Sequence, residues 1–568
     1  MAFGDIVEEQ GLGLFQILLV LLLSIPALLV PSHNFIQNFS AGVPEHRCRI
    51  WEVTNGSDTS NRMADLLRAF IPVDGDGKLQ TCQRYAHPQW HLLKVNSTAA
   101  NVSVMETEPC RDGWEYDQSV FTSTIITEWD LVCDRRSLKQ FAQSIFMGGV
   151  LVGAFVYGGL ADRFGRRTIL LWSFLQIAGM GTGAAFSPNF IAYCVFRFLT
   201  GMGISGFILN DLSLCQEWIP ARFRAMVVTL QAYLVTFGQP LLAGVAYVVR
   251  EWRWLQLFSS LPFFIFFLYT WWLPESARWL IVNNKYESAL KHLNRVTNFN
   301  KKQEKIQMMS LERLQKETQM DKPAVSTRHS IIDLFRSAAM CRITCCLTLV
   351  WFSTSFAFFA MAMDLQKFGL SIYLVQVIFG LIDVPFKLLA ALSVTYVGRR
   401  FGQASCLILA GMLILASIAV PQDMQTVQIT LSVLGKGSLA SSILIAYVYS
   451  TELFPTVIRQ TGMGFTQMMF RFGAMVSPLL MMAKDYVSFL PLVIFGVVAL
   501  VAGVSVFLLP ETLGVSLPDT IEQVQRRVLE RKKPQKSKAD TNNDAGTETL
   551  NPCTEQSIPS KRILADTL

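Results

Sequence analysis

Apolar runs of bilayer-spanning length alternate with polar breaks along most of the chain. A window of about 19 residues on a transfer scale marks spans near 13–34, 138–160, 168–187, 189–213, 225–249 and 255–273. A second set lies near 341–363, 372–395, 403–420, 426–450, 461–483 and 488–509. Each is long enough to cross a hydrocarbon core of roughly 30 Å as a helix, which takes about 20 residues. A helix also satisfies every backbone N–H and C=O inside one span, as lipid requires. The pattern predicts an all-α polytopic membrane protein with twelve transmembrane helices in two six-helix halves.

The halves carry the same punctuation. Gly165-Arg166-Arg167 returns as Gly398-Arg399-Arg400, and Glu217, Pro220 and Arg224 return as Glu452, Pro455 and Arg459. Pro274-Glu275-Ser276 returns as Pro510-Glu511-Thr512. The offsets are 233, 235 and 236 residues, and each mark ends an apolar run. A near-constant period in a membrane chain marks a duplicated unit with preserved short loops, as in two-halved transporters.

Charge orients the plan. Segment 39–137 has ten Lys and Arg against fourteen Asp and Glu, whereas 274–340 has twelve against seven. Basic turns sit at Arg163–Arg167, Arg222–Arg224 and Arg399–Arg400. Basic loops stay in the cytoplasm, so these turns, the 274–340 insert and both termini are expected inside. The expected units are a cytosolic N-terminus 1–12, an N-terminal half 13–273 with extracellular loop 39–137, a cytosolic basic loop 274–340, a C-terminal half 341–509, and a cytosolic tail 510–568 with a disordered distal part.

All four N-x-[ST] sequons, Asn38, Asn55, Asn96 and Asn101, fall in the segment that charge places outside. Asn38 is so near the first span that a structural role competes with glycosylation. Cys48, Cys82, Cys110 and Cys133 share this loop, and an even number in an exported segment suggests two disulfides in one of three pairings. The remaining cysteines read as small core residues or reduced thiols, without zinc-type spacing. Asp5, Glu8 and Glu9 precede the first span and no small-residue cleavage site follows, so it reads as an uncleaved helix. A basic cluster from Arg526 to Lys538 follows the last span and suits either an anionic inner leaflet or plain topology. Asp566-Thr567-Leu568 is a candidate ligand for a scaffold protein.

Composition acts mainly by exclusion: 51% of residues are hydrophobic and 16% charged, with a positive mean hydropathy, which is not a soluble globule. There is no phosphate-binding G-x-x-x-x-G-K-[ST] loop, and no acid–base or nucleophile set converges. No enzyme activity, cofactor, metal or nucleic-acid partner is expected.

The candidate chemistry lies in ionisable residues inside spans, each of which costs about 2.5–3.5 kcal/mol at a helix centre. Arg471 sits mid-way along the eleventh span. Its planar guanidinium suits a carboxylate or sulfate, and the competing reading is a structural pair with an acid of a neighbouring helix. Lys387 lies one turn after Asp383 in the eighth span, so both share a face and can pair; Arg471 would then be the sole source of positive charge. Asp211, near the end of the fourth span, is expected to pair with a basic turn residue. Arg197 and Lys436 read as packing residues. A large anion needs an apolar wall beside the cation for its head; Tyr233, Phe358, Phe359, Trp351, Tyr447 and Asn34 are the candidates. Asp162, Arg163, Arg166, Arg167, Glu217 and Arg224, with Arg399, Arg400, Glu452 and Arg459, form a candidate gate whose charges pair in one state and part in another. Topology anchoring is the simpler alternative.

The run Gly158-Gly159-Leu160-Ala161-Asp162-Arg163-Phe164-Gly165-Arg166-Arg167 resembles the loop between spans two and three of the major facilitator superfamily. Glu108–Trp114, Thr127–Cys133, Pro274–Leu280 and Glu452–Gly462 resemble solute carrier family 22, and the likeness covers nearly the whole chain except the distal tail. That resemblance implies the major facilitator fold and a plasma-membrane transporter working by alternating access. Arg471 fits the organic anion branch, where cation carriers have an acid. Lys387 matches the family's lysine of span eight, and Asn34 and Asn38 match its asparagine pair. Phe358 and Phe359 stand where the renal drug-handling anion transporters have tyrosines, which makes this wall more apolar. Asp211 departs from the family pattern. The implied substrate is a carboxylate, sulfate conjugate, urate or prostaglandin-like anion, exchanged for a dicarboxylate, chloride or another counter-anion. The alternatives are an organic cation or zwitterion carrier of the same family, or a non-transporting receptor or scaffold.

Overall fold

The computed structural model describes residues 8, 11–50, 66–74, 77–90, 106–300, 331–363, 365–421 and 424–530. Asn55, Asn96, Asn101 and the distal tail lie outside the described residues. The six helical spans of the first half are Leu14–Ser40, Leu138–Phe164, Arg166–Ala185, Phe190–Trp218, Ala221–Val248 and the pair Trp252–Ser260 with Pro262–Thr270. Those of the second are Ala338–Met363, Ile372–Val397, Arg399–Ala419, Gln425–Leu453, Arg459–Met481 and Leu490–Leu508. Ten of these are long and apolar enough to cross a membrane. The sixth falls short because it divides before Pro262, whose missing N–H removes a helical bond. The eleventh falls short because Gln460, Gln467 and Arg471 dilute its apolar run.

Several helices run beyond their apolar stretches. The first continues to Ser40, the second to Phe164 and the fourth to Trp218. Backbone bonding persists past the apolar run, and in the first helix the polar side chains there are buried against the rest of the protein, as with Gln37 on the Lys139 carbonyl and Asn38 on the Ala362 carbonyl. Asn34 and Asn38 therefore lie on a helix, and so do Asp162, Arg163 and Glu217.

Between the first and second spans, β1 (His46–Cys48) pairs antiparallel with β4 (Trp114–Tyr116), and β2 (Gln83–Tyr85) with β3 (Thr107–Pro109). Disulfides join Cys48 to Cys110 and Cys82 to Cys133. Arg84 binds Glu108 at 2.9 Å and Asp112 at 2.5 Å, and this raises an already basic guanidinium further against its partial burial. Trp129 packs on Tyr193 and Trp252, seating this small domain on the bundle. Two helices of the basic insert, Ala277–Val282 and Tyr286–Phe299, dock on the first half. The Asn300 Oδ1 accepts from the Phe15 N–H at 2.9 Å, and its Nδ2 donates to Gln16 Oε1 at 2.9 Å.

The halves meet at the end bearing the β-strands. There Arg136 pairs with Asp485 at 2.9 Å, Phe39 stacks on Tyr373 with centroids 5.5 Å apart, and Gln366 exchanges two hydrogen bonds of 3.1 Å with the Val43 backbone. Deeper in the seam, Gly380 lies where a Cβ would come within 2.6 Å of the Pro240 ring. Among the described residues, every hydrogen bond and ion pair identified between the halves lies at this end or in mid-span. At the opposite end, where the charged turns sit, no hydrogen bond or ion pair between the halves is identified among the described residues.

Candidate functional site

The ionisable residues sort into two groups. Lys436, fully buried in the tenth span, donates to both oxygens of Asp383 at 2.8 and 2.9 Å and to the Phe379 carbonyl, and it lies 5.2 Å from the Phe358 ring centroid. Asp383 also accepts from Gln239 Nε2 of the fifth span at 3.3 Å. The Asp383–Lys387 pairing that the spacing allowed is therefore not the one formed: the acid is claimed by the neighbouring helix. Lys387 instead donates across the seam to the Ala232 carbonyl at 3.0 Å and to Thr236 Oγ1 at 2.6 Å. Both acceptors are neutral, so its charge is not cancelled by them.

Arg471 is half-buried, and its Nη1 donates to the Gln467 carbonyl at 3.1 Å, one turn back on its own helix. Among the described residues no carboxylate lies within ion-pair distance of it. The structural-pair reading for Arg471 thus finds no partner. Arg197 is the opposite case. It is fully buried, bonds the His33 carbonyl at 3.2 Å and lies over the Phe146 ring at 4.1 Å, which is a packing role.

Next to Arg471, Phe470 meets Trp351 edge-on at 5.7 Å and Phe359 at 6.5 Å. Phe359 meets Phe358 at 5.6 Å and stacks on Phe35 of the first span at 6.1 Å. Both halves thus contribute to an aromatic cluster around Phe470, the residue before Arg471 in the eleventh span. Trp351 is corrected to a packing residue in this state: it is 2% exposed, and its indole N–H is satisfied by Ser450 Oγ at 3.0 Å. Tyr233 is half-buried next to Ala232, the residue whose carbonyl holds Lys387, and Tyr447 is 37% exposed. Asn34 is half-buried, with its carbonyl accepting from Gln143 at 3.1 Å. No hydrogen bond or ring pair joining Tyr447 or Asn34 to the aromatic cluster is identified among the described residues, although Asn34 directly precedes Phe35.

Two further expectations change. Asn38 is 3% exposed, and its Nδ2 donates to the Ala362 carbonyl at 2.9 Å and Gln376 Oε1 at 3.1 Å. An amide nitrogen buried and engaged between the halves is not a glycan acceptor, so Asn38 is a seam residue. Asp211, 4% exposed, accepts from Gln231 Nε2 at 3.1 Å and not from a basic turn residue, because the fourth span carries it about two turns inward of Trp218.

The charged turns are built alike. Gly165 and Gly398 adopt φ of 101° and 111°, a region open to glycine, and each starts a new helix. Glu275 caps the first of these helices, accepting from the Arg167 N–H at 3.0 Å; Glu511 caps the second, accepting from the Arg399 and Arg400 N–H groups at 2.9 and 3.0 Å. A carboxylate there meets unpaired N–H groups and the positive end of the helix dipole. Burial raises the Glu511 carboxyl, but the backbone donors of Arg399, Leu513, Thr512 and Arg400 outweigh it and hold it below the usual range. Arg399 reaches Glu452 at 3.0 Å; Arg166 reaches Asp162 at 3.0 Å and Glu217 at 3.7 Å. Arg224 and Arg459 each turn back to a carbonyl, of Ile219 and Phe454, both at 3.2 Å. Arg167 bonds the Thr270 carbonyl at 3.2 Å, Arg400 bonds the Phe507 carbonyl, and Arg163 lies over Phe164. All these pairs stay within one half.

Glu275 and Glu511 were legible as repeated punctuation but not as helix caps. Thr236, Gln239 and Gln376 carried no signal, since a lone polar residue in an apolar span has many uses.

The sugar (and other) transporter family model matches residues 96–523. Solute carrier family 22 member 6-A of Xenopus laevis is 49% identical over 534 residues, 94% of this chain and 96% of that protein. Solute carrier family 22 member 20 of Mus musculus is 47% identical over 95% and 96% of the two chains. Organic anion transporter 3 of Pongo abelii is 46% identical over 94% and 95%. Among solved structures, the inward open conformation of the xylose transporter XylE from E. coli superposes with a TM-score of 0.52 at 18% identity, covering 69% of this chain and 90% of that one.

Proposed function

Because the chain belongs to solute carrier family 22, within the sugar (and other) transporter family and with the major facilitator fold, we propose that it is a plasma-membrane carrier of organic anions. Arg471 is the anion's principal partner. The observation that carries this is the absence of any carboxylate near Arg471 among the described residues, while Asp383 is spent on Lys436. Lys387 is the second cation. Its neutral partners give it up to an anionic group more readily than a carboxylate would. Phe358, Phe359 and Phe470 pack the body of the substrate, with Tyr233, Tyr447 and Asn34 as further lining residues.

Transport proceeds by rocking of the two halves about this mid-membrane site. The contacts at the strand-bearing end are broken in the opposite state, and the charged turns come together there as a gate. The strand-bearing end faces outward, with Asn55, Asn96 and Asn101 as glycan acceptors, and the charged turns and both termini are cytoplasmic. The substrate is a carboxylate or sulfate-bearing anion with an apolar body, exchanged for a dicarboxylate, chloride or another counter-anion, and the C-terminus engages a scaffold protein. The test is uptake of labelled steroid sulfate, urate, prostaglandin and dicarboxylate in cells expressing the chain, with an organic cation as control. Saturable anion uptake stimulated by preloaded dicarboxylate is expected. Uptake of the cation alone overturns the reading.

A further inference from the structure

At the charged-turn end, the seventh span begins with three cysteines in six residues, Cys341, Cys345 and Cys346. None takes part in the site above. Their surroundings differ sharply. Cys341 and Cys345 lie one turn apart on one face of the helix, with sulfurs 4.0 Å apart; Cys341 is half-buried, Cys345 exposed and Cys346 buried. An exposed thiol is out of character on a span whose apolar window is 78% buried.

The preceding segment fixes the depth. Ile332 and Phe335 are 75% and 41% exposed around the short Asp333–Arg336 helix, and Arg336 is exposed beside them. Apolar and basic side chains side by side on a surface segment suit the headgroup boundary. Arg342, the residue after Cys341, is half-buried and adds a second cation to this segment. At a rise of 1.5 Å per residue, Cys341 lies about 4.5 Å beyond the helix start at Ala338 and Cys345 about 10 Å beyond it. With that depth one thiol falls at the boundary and the other just inside the acyl region, on a helix face that is half-buried at Cys341 and exposed at Cys345.

We infer that Cys341 and Cys345 form a reversible S-acylation site for long-chain fatty acyl groups. Juxtamembrane cysteines are the residue class for this modification. The Sγ forms a thioester with the carbonyl carbon of a long-chain acyl-coenzyme A as its carbon–sulfur bond breaks, and the thiol proton leaves with the coenzyme A thiol. No oxidant or reductant is needed. The acyl chains extend along the lipid-facing side of the seventh span and tie the end of the 274–340 insert to the inner leaflet. Cys346, one residue further, is turned into the core and stays unmodified.

The inference rests on the proposed orientation, in which this end is cytoplasmic. The test is hydroxylamine-dependent mass-tag exchange on the full chain expressed in mammalian cells, paired with membrane-impermeant maleimide labelling before and after permeabilisation. Two tags are expected on the wild type and on Cys346→Ser, one on Cys341→Ser or Cys345→Ser, and none at these positions in the double variant. Absence of hydroxylamine-dependent tags on the wild type, or tags that persist in the double variant, overturns it. Maleimide then separates the causes. Hydroxylamine-treated thiols labelled only after permeabilisation leave the orientation standing, whereas labelling on intact cells removes the orientation as well.

Discussion

Two cation sites lie at similar depth in the second half and differ in one respect. Lys436 is sealed from solvent and held by both oxygens of Asp383, with a ring face and a carbonyl completing its shell. Arg471 is half-buried, held by one carbonyl of its own helix, and follows Phe470, which packs on Trp351. A membrane charge that is paired and sealed belongs to the scaffold. One left without a counter-charge among the described residues is available to a ligand. The difference separates structure from function among residues that look alike in composition.

The largest effect that sharpens this contrast comes from breaking the sealed pair. Asp383→Asn strands a buried ammonium, at about 3–5 kcal/mol, and most of the protein is expected to be lost from the cell surface by biotinylation. Asp383→Leu combined with Lys436→Met removes both charges and is expected to recover surface expression. Arg471→Ala is next. It leaves surface expression intact but removes a bidentate charge-assisted contact worth about 3 kcal/mol, an uptake loss of about a hundredfold. Retained uptake would take Arg471 out of the site. Lys387→Met follows, at about 1 kcal/mol or roughly fivefold in uptake. Because the seam bonds to Ala232 and Thr236 are lost with the charge, Lys387→Arg should restore part of the uptake.

The smallest effect concerns the charged turns. Glu511→Gln weakens a cap, at about 1 kcal/mol, read as thermal stability of the purified full chain. The Glu511 carboxyl is held below its ordinary value, so its contribution is present above the unfolded-state value of about 4.3 and is lost as pH falls through the lower folded value. The gap between wild type and Glu511→Gln should therefore be flat near neutrality and close on acidification. A gap that widens on acidification contradicts the cap.

The turns repeat the lesson on a smaller scale. The Arg166 guanidinium has both Asp162 and Glu217, whereas the residue 233 positions after Asp162 is Thr395, and the Arg399 guanidinium has Glu452 alone as an ion-pair partner among the described residues. The motif was visible in both halves, but its partners were not. The i,i+4 pair Asp162–Arg166 is local and could be read from spacing, while the Glu275 and Glu511 caps come from more than 100 residues away.

Span number, the duplicated halves, the polarity of the loops and the presence of Arg471 in an apolar helix are properties of the sequence by itself. They follow from run length, period and charge count, which are local or one-dimensional quantities. Tertiary structure alone decided that Cys48 joins Cys110, that Asn38 closes a seam, that Asp211 faces Gln231, and above all that Asp383 serves Lys436 and not Lys387. The reason is geometric. A carboxylate on a helix can reach a lysine one turn along or one on a packed neighbour, and only the packing of the eighth helix on the tenth settles the choice.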